Sequence, residues 1–218
     1  VVFGVEDGMV STMGAITGIA VGSGNHFIIL LSGVVIIAVE SISMAVGSYL
    51  SNKSEVEVAE RMLKEEREEI VELPEEEKAE MYDLFVKDGW PEPLAQQMTE
   101  QTALDHELML KEMAYRELHI IPDKVHAPAR AGLVMWVSYI AGGLVPLTPY
   151  LFFETFSAMV YSVSITLVGL FVLGAYTTRF SKRSWYKAGF EMLLLAGAAA
   201  LVGYAVGSYA ETMLARYR

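Results

Sequence analysis

Three long stretches of this chain are almost free of charged side chains, and they limit its fold more than any other feature. Residues 8–52 contain one Asp, Glu, Lys or Arg, which is Glu40, and residues 131–153 and 155–178 contain none. A bilayer core is crossed by about 20 helical residues. The first stretch therefore predicts two membrane spans, with a break at the turn-forming sequence Ser-Gly-Asn-His, residues 23–26.

The apolar segments predict an all-α integral membrane protein with five transmembrane helices. The predicted spans are residues 3–22, 27–50, 131–153, 155–178 and 192–210. Helices 1 and 2 fall within residues 1–52, and helices 3 to 5 fall within residues 127–218. Pro146 and Pro149 mark the turn between helices 3 and 4.

The charged residues are concentrated between the second and third spans. Residues 53–126 contain 21 Asp/Glu and 9 Lys/Arg, a net charge of −12, whereas the remainder has 6 acids and 7 bases. This segregation predicts a soluble domain at 53–126, flanked by membrane. A strongly negative domain argues against nucleic acid as a partner and in favour of cations. The absence of Cys excludes disulfides and thiolate metal sites.

The positively charged loop between helices 4 and 5 predicts the orientation. It carries Arg179, Lys182, Arg183 and Lys187, whereas the 1–2 and 3–4 connections carry no Lys or Arg. Cytoplasmic loops are enriched in Lys and Arg, so we expect this loop and the acidic domain on the cytoplasmic side. Arg216 and Arg218 at the C-terminus oppose this assignment.

The acidic domain is predicted to consist of three helices, at about 53–72, 74–89 and 91–119. Pro74 and Pro91 suit helix starts, Gly89 suits a helix end, and Ile121-Pro122 closes the third helix. The helices could pack as a small bundle on apolar side chains. Candidate core residues are Met62, Leu84, Phe85, Leu104, Leu108 and Met109.

Acidic residues at helical spacing form the first candidate site. Glu66 and Glu69 share one helical face, Glu77 and Glu80 repeat the spacing on the next helix, and a hairpin at Pro74 could bring the pairs together. Carboxylates are ligands for divalent cations. Met113 and Glu117 are spaced i,i+4, and a thioether shifts preference toward softer transition metals. The alternative is a solvated charged face.

Ionisable residues in the membrane segments form the second candidate site. Glu6 and Asp7 open helix 1, either as an interfacial helix start or as part of a transport path. Glu40 lies well inside helix 2, with Met44 one turn later on the same face. An ionisable group at membrane depth is costly and indicates function.

Small residues recur every four positions on two helices. They are Gly14, Gly18 and Gly22 on helix 1 and Gly203 and Gly207 on helix 5. Such stripes allow close helix packing, and the sequence leaves open whether they pack within one subunit or between two.

Two segments carry a resemblance to a known family. Residues 3–12, Phe-Gly-Val-Glu-Asp-Gly-Met-Val-Ser-Thr, and residues 43–51, Ser-Met-Ala-Val-Gly-Ser-Tyr-Leu-Ser, resemble the first- and second-helix signatures of the vacuolar iron transporter family. The acidic stretch from Glu66 to Glu80, the Met113–Glu117 element and Pro128 are similar as well. The resemblance covers nearly the whole chain in order.

The resemblance implies a function and assigns residues to it. Members are homodimers that move Fe²⁺, and often Mn²⁺, out of the cytosol in exchange for protons. It implies that Asp7 and Met44 lie on the membrane path, to which burial adds Glu40. The implied metal ligands of the cytoplasmic domain are Glu66, Glu69, Glu77, Glu80, Met113 and Glu117. Ser48 departs from the pattern, because many members have Glu there, which puts in doubt how metal passes from the domain to the membrane.

Two other functions stay open at this point. The chain could be a membrane-anchored metal buffer or sensor that binds without transport, or a scaffold whose acidic helices recruit a basic partner. No catalytic constellation is visible, so we expect neither an enzyme nor a catalytic cofactor. The sequence does not rank Fe²⁺ against Mn²⁺, Zn²⁺ or Co²⁺. The resemblance implies the vacuolar membrane in a eukaryote and the plasma membrane in a prokaryote.

Overall fold

A computed structural model describes residues 1–120, 127–181 and 184–214 of the chain. These residues form eight α-helices and one 3₁₀-helix and contain no β-strand, which confirms the predicted all-α class. The 3₁₀-helix is Thr148–Leu151. The α-helices are α1 (Val2–Ser23), α2 (His26–Glu72), α3 (Pro74–Lys87), α4 (Glu92–Thr102), α5 (His106–Arg116), α6 (Pro128–Leu147), α7 (Thr155–Ser181) and α8 (Trp185–Leu214).

Among the described residues, four helical segments are long and apolar enough to cross a membrane. They are His26–Glu72, Pro128–Leu151, Thr155–Arg179 and Trp185–Met213. These segments contain the second to the fifth predicted spans. The third span ends earlier than predicted, because α6 stops at Leu147 and the 3₁₀-helix finishes it.

The first predicted span forms α1, but α1 is not one of these four segments. Glu6 and Asp7 lie in its second turn, and Gly, Ser and Thr recur along it, so its mean hydropathy is low. Nine of its 22 residues are buried. A helix enclosed by other helices needs fewer apolar side chains than one that faces lipid. The five-span count therefore stays a prediction.

Glycine residues let α1 lie against α6 and α8. A Cβ atom added at Gly8 would overlap the carbonyl oxygen of Tyr139 on α6, and one added at Gly203 would overlap the carbonyl oxygen of Gly14. A Cβ added at Gly18 would lie 2.7 Å from the carbonyl oxygen of Gly203. The two glycine stripes thus pack against each other within one chain.

The second span and the first domain helix are one continuous helix, which the sequence did not predict. α2 runs for 47 residues, through the predicted boundary between Leu50 and Lys53. Ser51 and Asn52 are weak helix formers, but neither stops a helix as Pro does. An ion pair between Lys53 and Glu57, at 3.6 Å, lies in the turn after the boundary.

The chain divides into two compact units. One comprises Val1–Tyr49 and Ala129–Arg218, and the other, which we call the acidic unit, is Leu50–Pro128. The predicted domain bounds, 53 and 126, lie within three residues of the ends of the acidic unit.

The predicted third helix of the acidic unit is wrong, because the structure divides it into α4 and α5. Asp105 has extended backbone, and its side chain accepts hydrogen bonds from the backbone N–H groups of Glu107 and Leu108. This is an N-cap, the geometry in which Asp satisfies the free donors of a new helix. The unit therefore has α3, α4 and α5 packed beside the end of α2.

The core of the acidic unit differs from the predicted one at the same place. Phe85 and Met109 are buried, as predicted, together with Met81 and Met113. Leu104 is 79% exposed, because it lies in the turn that precedes Asp105. Leu108 is exposed as well, since the new helix start changes which face of α5 meets the core.

Several predictions fall on residues outside those that the structure describes. They concern Ile121, Pro122, Lys182, Arg183, Arg216 and Arg218. The orientation of the helices across the membrane stays a prediction.

Candidate metal centre and membrane carboxylates

Carboxylates from three helices come together in the acidic unit. The electrostatic influence of its neighbours on Glu66 identifies the set, which is Glu66, Glu69, Glu77, Glu80 and Glu117. We call these five residues the carboxylate cluster. α2 provides the first two, α3 the next two, and Glu117 caps the end of α5.

A single residue between α2 and α3 brings the two pairs together. Leu73 is the only residue between the helices, and Pro74 begins α3. The backbone carbonyl of Leu73 accepts hydrogen bonds from Glu76 and Glu77, at 3.0 and 3.1 Å. Proline suits the first turn of a helix because its missing N–H would have no partner there. The predicted hairpin at Pro74 is thus present.

Two members of the cluster are buried. Glu66 is 3% exposed and Glu77 is 7% exposed, whereas Glu69, Glu80 and Glu117 are exposed. One oxygen of each buried group, Oε1 of Glu66 and Oε2 of Glu77, has no hydrogen-bond partner among the described residues. Burying a carboxylate is costly unless a proton, a cation or hydrogen-bond donors compensate its charge.

The environment raises the pKa values of three cluster members. Burial raises the pKa of Glu66 to about 8, and the negative charges of Glu117, Glu77, Glu69 and Glu80 add to the effect. Partial desolvation, then the charge of Glu80, raises the pKa values of Glu77 and Glu117, although a hydrogen bond with Glu66 lowers each of them. Protons therefore compete with cations for this cluster near neutral pH.

Met113 lies in the hydrophobic core of the acidic unit. It is fully buried, and its backbone carbonyl accepts the N–H of Glu117 at 2.8 Å, so the predicted i,i+4 spacing is present. Among the described residues, no three Asp, Glu, His or Cys side chains are arranged ready to hold one metal ion. Carboxylates without a cation between them repel each other and stay apart. The six-residue ligand set stays a prediction.

A hydrogen-bonded network lies between α1, α2 and α6. The hydroxyl of Tyr139 donates a hydrogen bond to a carboxylate oxygen of Glu40, and it lies 2.5 Å from the Ser11 hydroxyl oxygen. Tyr139 is fully buried, and Glu40 is half-buried. Glu40 therefore does not face lipid unpaired, because its carboxylate accepts a hydrogen bond from Tyr139 on α6. We call Ser11, Glu40 and Tyr139 the membrane network.

Other acids lie near this network. Asp7 is close enough to Glu40 for their charges to interact, and Glu6 interacts in the same way with Asp7 and with Glu191 on α8. Helices α1, α2 and α8 thus bring four carboxylates into one region. Met44, half-buried, lies one turn beyond Glu40 on α2.

Tyr139, Ser11 and Glu191 were not found from the sequence. Tyr and Ser are common in membrane helices, and nothing in their spacing connects them with Glu40, which is 99 residues from Tyr139. Glu191 lies at the edge of the last predicted span, where an acid needs no explanation. Gly8 on α1 and Gly142 on α6 each lie where the two helices pack closely. These glycines are the signal that could have indicated that Tyr139 of α6 lies beside α1.

The chain is similar to known proteins over almost its whole length. A family model described as the VIT family matches residues 1–208. The chain is 29% identical over 213 residues to vacuolar iron transporter 1 of Oryza sativa subsp. japonica, a match that covers 97% of this chain and 84% of that protein. It is 26% identical to vacuolar iron transporter 1 of Arabidopsis thaliana (97% and 85% covered) and 27% identical to the vacuolar iron transporter of Toxoplasma gondii (98% and 74% covered).

The family model covers nearly the whole chain, including both helical signatures and the acidic unit. This chain belongs to the VIT family. Its membership confirms the resemblance seen in residues 3–12 and 43–51. It also confirms the expectation that the chain is not an enzyme, since the relatives named above are all transporters.

Both candidate sites lie inside the part of the chain that the VIT family model matches. The carboxylate cluster falls at residues 66–117 and the membrane network at residues 11–139, within the matched residues 1–208. Each compact unit of this VIT family protein contains its own set of carboxylates.

Proposed function

We propose that this VIT family protein moves divalent transition-metal ions, chiefly Fe²⁺ and also Mn²⁺, out of the cytosol in exchange for protons. The observation that carries the proposal is the pair of buried carboxylates, Glu66 and Glu77, each with an oxygen that lacks a hydrogen-bond partner among the described residues. Met113, buried in the core of the same unit, offers a thioether. Carboxylate and thioether together suit a transition metal better than Mg²⁺ or Ca²⁺. Zn²⁺ and Co²⁺ are chemically acceptable to the same donors.

The acidic unit acts as the collecting site in this proposal. Its surplus of negative charge raises the local concentration of divalent cations. A metal ion among Glu66, Glu69, Glu77, Glu80, Met113 and Glu117 would neutralise carboxylates that otherwise repel each other. Binding then releases protons, because at least Glu66 retains a proton at neutral pH.

The membrane network provides the transport path in this proposal. Asp7 and Glu40 are carboxylates that can hold either a metal ion or a proton, and Met44 offers a softer donor one turn from Glu40. Tyr139 donates a hydrogen bond to Glu40, and Ser11 in turn pairs with the Tyr139 hydroxyl. Competition between the two cations at one group is what couples their movements in opposite directions.

We also propose that the acidic unit faces the cytosol. The Lys and Arg residues at the α7–α8 connection favour that side; among the described residues they are Arg179, in the last turn of α7, and Lys187, in the first turn of α8. The relatives are named vacuolar transporters, so in a eukaryotic cell we place this chain in the vacuolar membrane. In a prokaryotic cell the plasma membrane takes its place.

The homodimer belongs to the proposal as well. An apolar groove of about 820 Å³ runs between α1 and α8. It is lined mainly by small residues, among them Ala15 and Ala198, together with the larger side chains of Ile19 and Val202. Small residues allow the close approach that membrane helices need in order to associate. A second copy of the chain is the occupant that we propose.

A single introduced cysteine tests the dimer, because the chain has no Cys of its own. We expect Ile19→Cys, in the groove, to give a covalent dimer on oxidation in membranes, measured by non-reducing gel electrophoresis. Val168→Cys is the matched control, since Val168 is 64% exposed on α7, outside the groove. Equal cross-linking of both variants, or cross-linking of Val168→Cys alone, would contradict the proposed interface.

Metal uptake into proteoliposomes tests the transport itself. We expect the wild-type protein to accumulate Fe²⁺ and Mn²⁺, but not Ca²⁺, when the receiving side is acidic, and to lose most of this uptake without a pH gradient. Asp7→Ala and Glu40→Gln should each lower the rate by at least about tenfold, the lower end of the loss typical when even an indirect contact to a metal is disturbed. Glu68→Gln removes an exposed carboxylate outside both sites and serves as the control.

The outcomes separate transport from storage. Uptake that is unaffected by the pH gradient would exclude proton exchange. No uptake at all, with Fe²⁺ still bound by the full-length protein in detergent, would favour the membrane-anchored metal buffer. The scaffold function would be favoured if the purified protein bound no divalent metal ion.

A further inference from the structure

A cavity with ionisable side chains lies where α2 and α7 begin. Its volume is about 560 Å³, and it is lined by His26, Glu154 and the aromatic side chains of Phe152, Phe153 and Phe156. His26 is the first residue of α2, and Glu154 directly precedes α7. We call this cavity the far mouth. None of its residues belongs to the carboxylate cluster or to the membrane network.

Helix length places the far mouth at one membrane surface. Residues 26–49 of α2 rise about 36 Å at 1.5 Å per residue, which is enough to cross a hydrocarbon core of about 30 Å. His26 and Tyr49 therefore lie at opposite membrane surfaces. Glu40 is 14 residues from His26, or about 21 Å along the same axis.

The imidazole of His26 is half-buried and lines the far mouth. Its Nδ1 is buried and has no hydrogen-bond partner among the described residues. The neighbouring backbone does not need it, because the side chain of Asn25 accepts the N–H of Ile28 at 3.2 Å. Buried polar atoms are normally paired with protein or with ordered water. Imidazole nitrogen is a good ligand for iron, cobalt and zinc.

Buried hydroxyl groups lie between the membrane network and the far mouth. Thr12 and Thr17 on α1 and Tyr150 in the 3₁₀-helix are almost fully buried, and their hydroxyl oxygens have no partner among the described residues. Tyr150 packs against Ile16 of α1 and Ile29 of α2, and Ile29 is one turn from His26. These unpaired oxygens are suited to binding water that accompanies an ion between Glu40 and His26.

We infer that His26 and Glu154 form a weak release site, at which a divalent transition metal binds before it leaves at the membrane surface where α2 begins. The inference rests on the proposed transport function. Two protein ligands, with water completing the coordination, give weaker binding than the six-residue set of the acidic unit. A release site requires such weak binding, because an ion held tightly there would leave slowly.

Chemical modification of histidine tests the site without any transport. The full-length protein in detergent is treated with diethyl pyrocarbonate, with and without Zn²⁺, and modification of each histidine is followed by mass spectrometry. We expect Zn²⁺ to slow modification of His26 and to leave modification of His106, exposed at the start of α5, unchanged as an internal control. Glu154→Gln should remove this protection, whereas Ser157→Ala, a change in the same cavity, should retain it. Modification of His26 at the same rate with and without Zn²⁺ would overturn the inference.

Transport by the same variants provides the second readout. His26→Gln and Glu154→Gln should lower the maximal rate of Co²⁺ uptake more than that of Mn²⁺, because Mn²⁺ depends less on imidazole. The metal concentration that gives half-maximal uptake should not change, since the collecting site is intact. Protection of His26 without uptake by the wild type would contradict the proposed function alone. Uptake without protection would contradict the release site alone.

Discussion

Replacing Gly203 by alanine is expected to lower the thermal unfolding midpoint of the detergent-solubilised protein by roughly 5–10 °C. A Cβ at this position would overlap the carbonyl oxygen of Gly14, and backbone atoms cannot rotate away as a side chain can. Overpacking costs about 1–3 kcal/mol in protein cores, and 1 kcal/mol shifts the midpoint of a chain of this size by about 2–4 °C. The contact joins α1 to α8, so its loss weakens the packing of the whole membrane unit.

Gly197→Ala provides the matched control for this prediction. Gly197 lies on the same helix, six residues earlier, and a Cβ there would have nothing within 4 Å. Alanine favours helix over glycine by about 1 kcal/mol, so this variant should unfold at the wild-type temperature or slightly above it. The midpoint is measured by the loss of monodisperse protein on size-exclusion chromatography after heating. Equal midpoints for the two variants would show that α1 and α8 do not meet at Gly203.

The same contact shows how far the sequence could go in predicting the membrane unit. The spacing of Gly14, Gly18 and Gly22 identified a surface made for close helix packing, but it could not name the partner helix. A repeat on one helix is compatible with any neighbour that has a similar repeat. The structure pairs Gly18 with Gly203, which are 185 residues apart.

Helix boundaries in the acidic unit show a second limit. Pro74 and Gly89 were identified correctly because these residues restrict the backbone wherever they occur. The helix start at Asp105 was missed, because an Asp acts as an N-cap only where the preceding chain leaves the helical conformation. The same error placed Leu104 in the core, although it lies in the turn.

The candidate sites were predictable to different degrees. The convergence of Glu66 and Glu77 follows from local spacing and a proline turn, which are features of neighbouring sequence. The bond between Tyr139 and Glu40 depends on how α6 packs against α2, which no local pattern determines. Burial logic thus identified Glu40 as important but could not identify what holds it.

The second large effect is expected at Glu66, where one substitution should change fold stability and metal binding in opposite directions. Because the folded state raises the pKa of Glu66 from 4.5 to about 8, the metal-free folded protein binds its proton more tightly than the unfolded chain does. The stability of the acidic unit should therefore fall as the pH rises from 4.5 to 8. Glu66→Gln cannot ionise, so we expect its stability to fall less over this range and to exceed that of the wild type at pH 8.

Metal binding should reverse this order. Mn²⁺ at pH 7.5 should restore the stability of the wild type, because the cation compensates the buried charges, whereas Glu66→Gln should bind Mn²⁺ at least about 10–100-fold more weakly, the loss typical of disturbing even an indirect ligand contact. Stability is followed by hydrogen exchange of the α3 amides, corrected for the intrinsic pH dependence of exchange, and affinity is followed by calorimetry on the full-length protein.

Glu68→Gln removes the same charge from the same helix but outside the cluster, where the Glu68 side chain is 59% exposed and pairs with Lys64 at 3.5 Å. Exposed pairs of this kind contribute little, so this control should behave as the wild type in both measurements. If Glu66→Gln and Glu68→Gln gave the same exchange and the same affinity, the buried carboxylates would have no special part in metal binding. If Glu66→Gln alone were more stable than the wild type at pH 8 and bound Mn²⁺ more weakly, the acidic unit would be shown to retain a costly buried carboxylate in order to bind a cation.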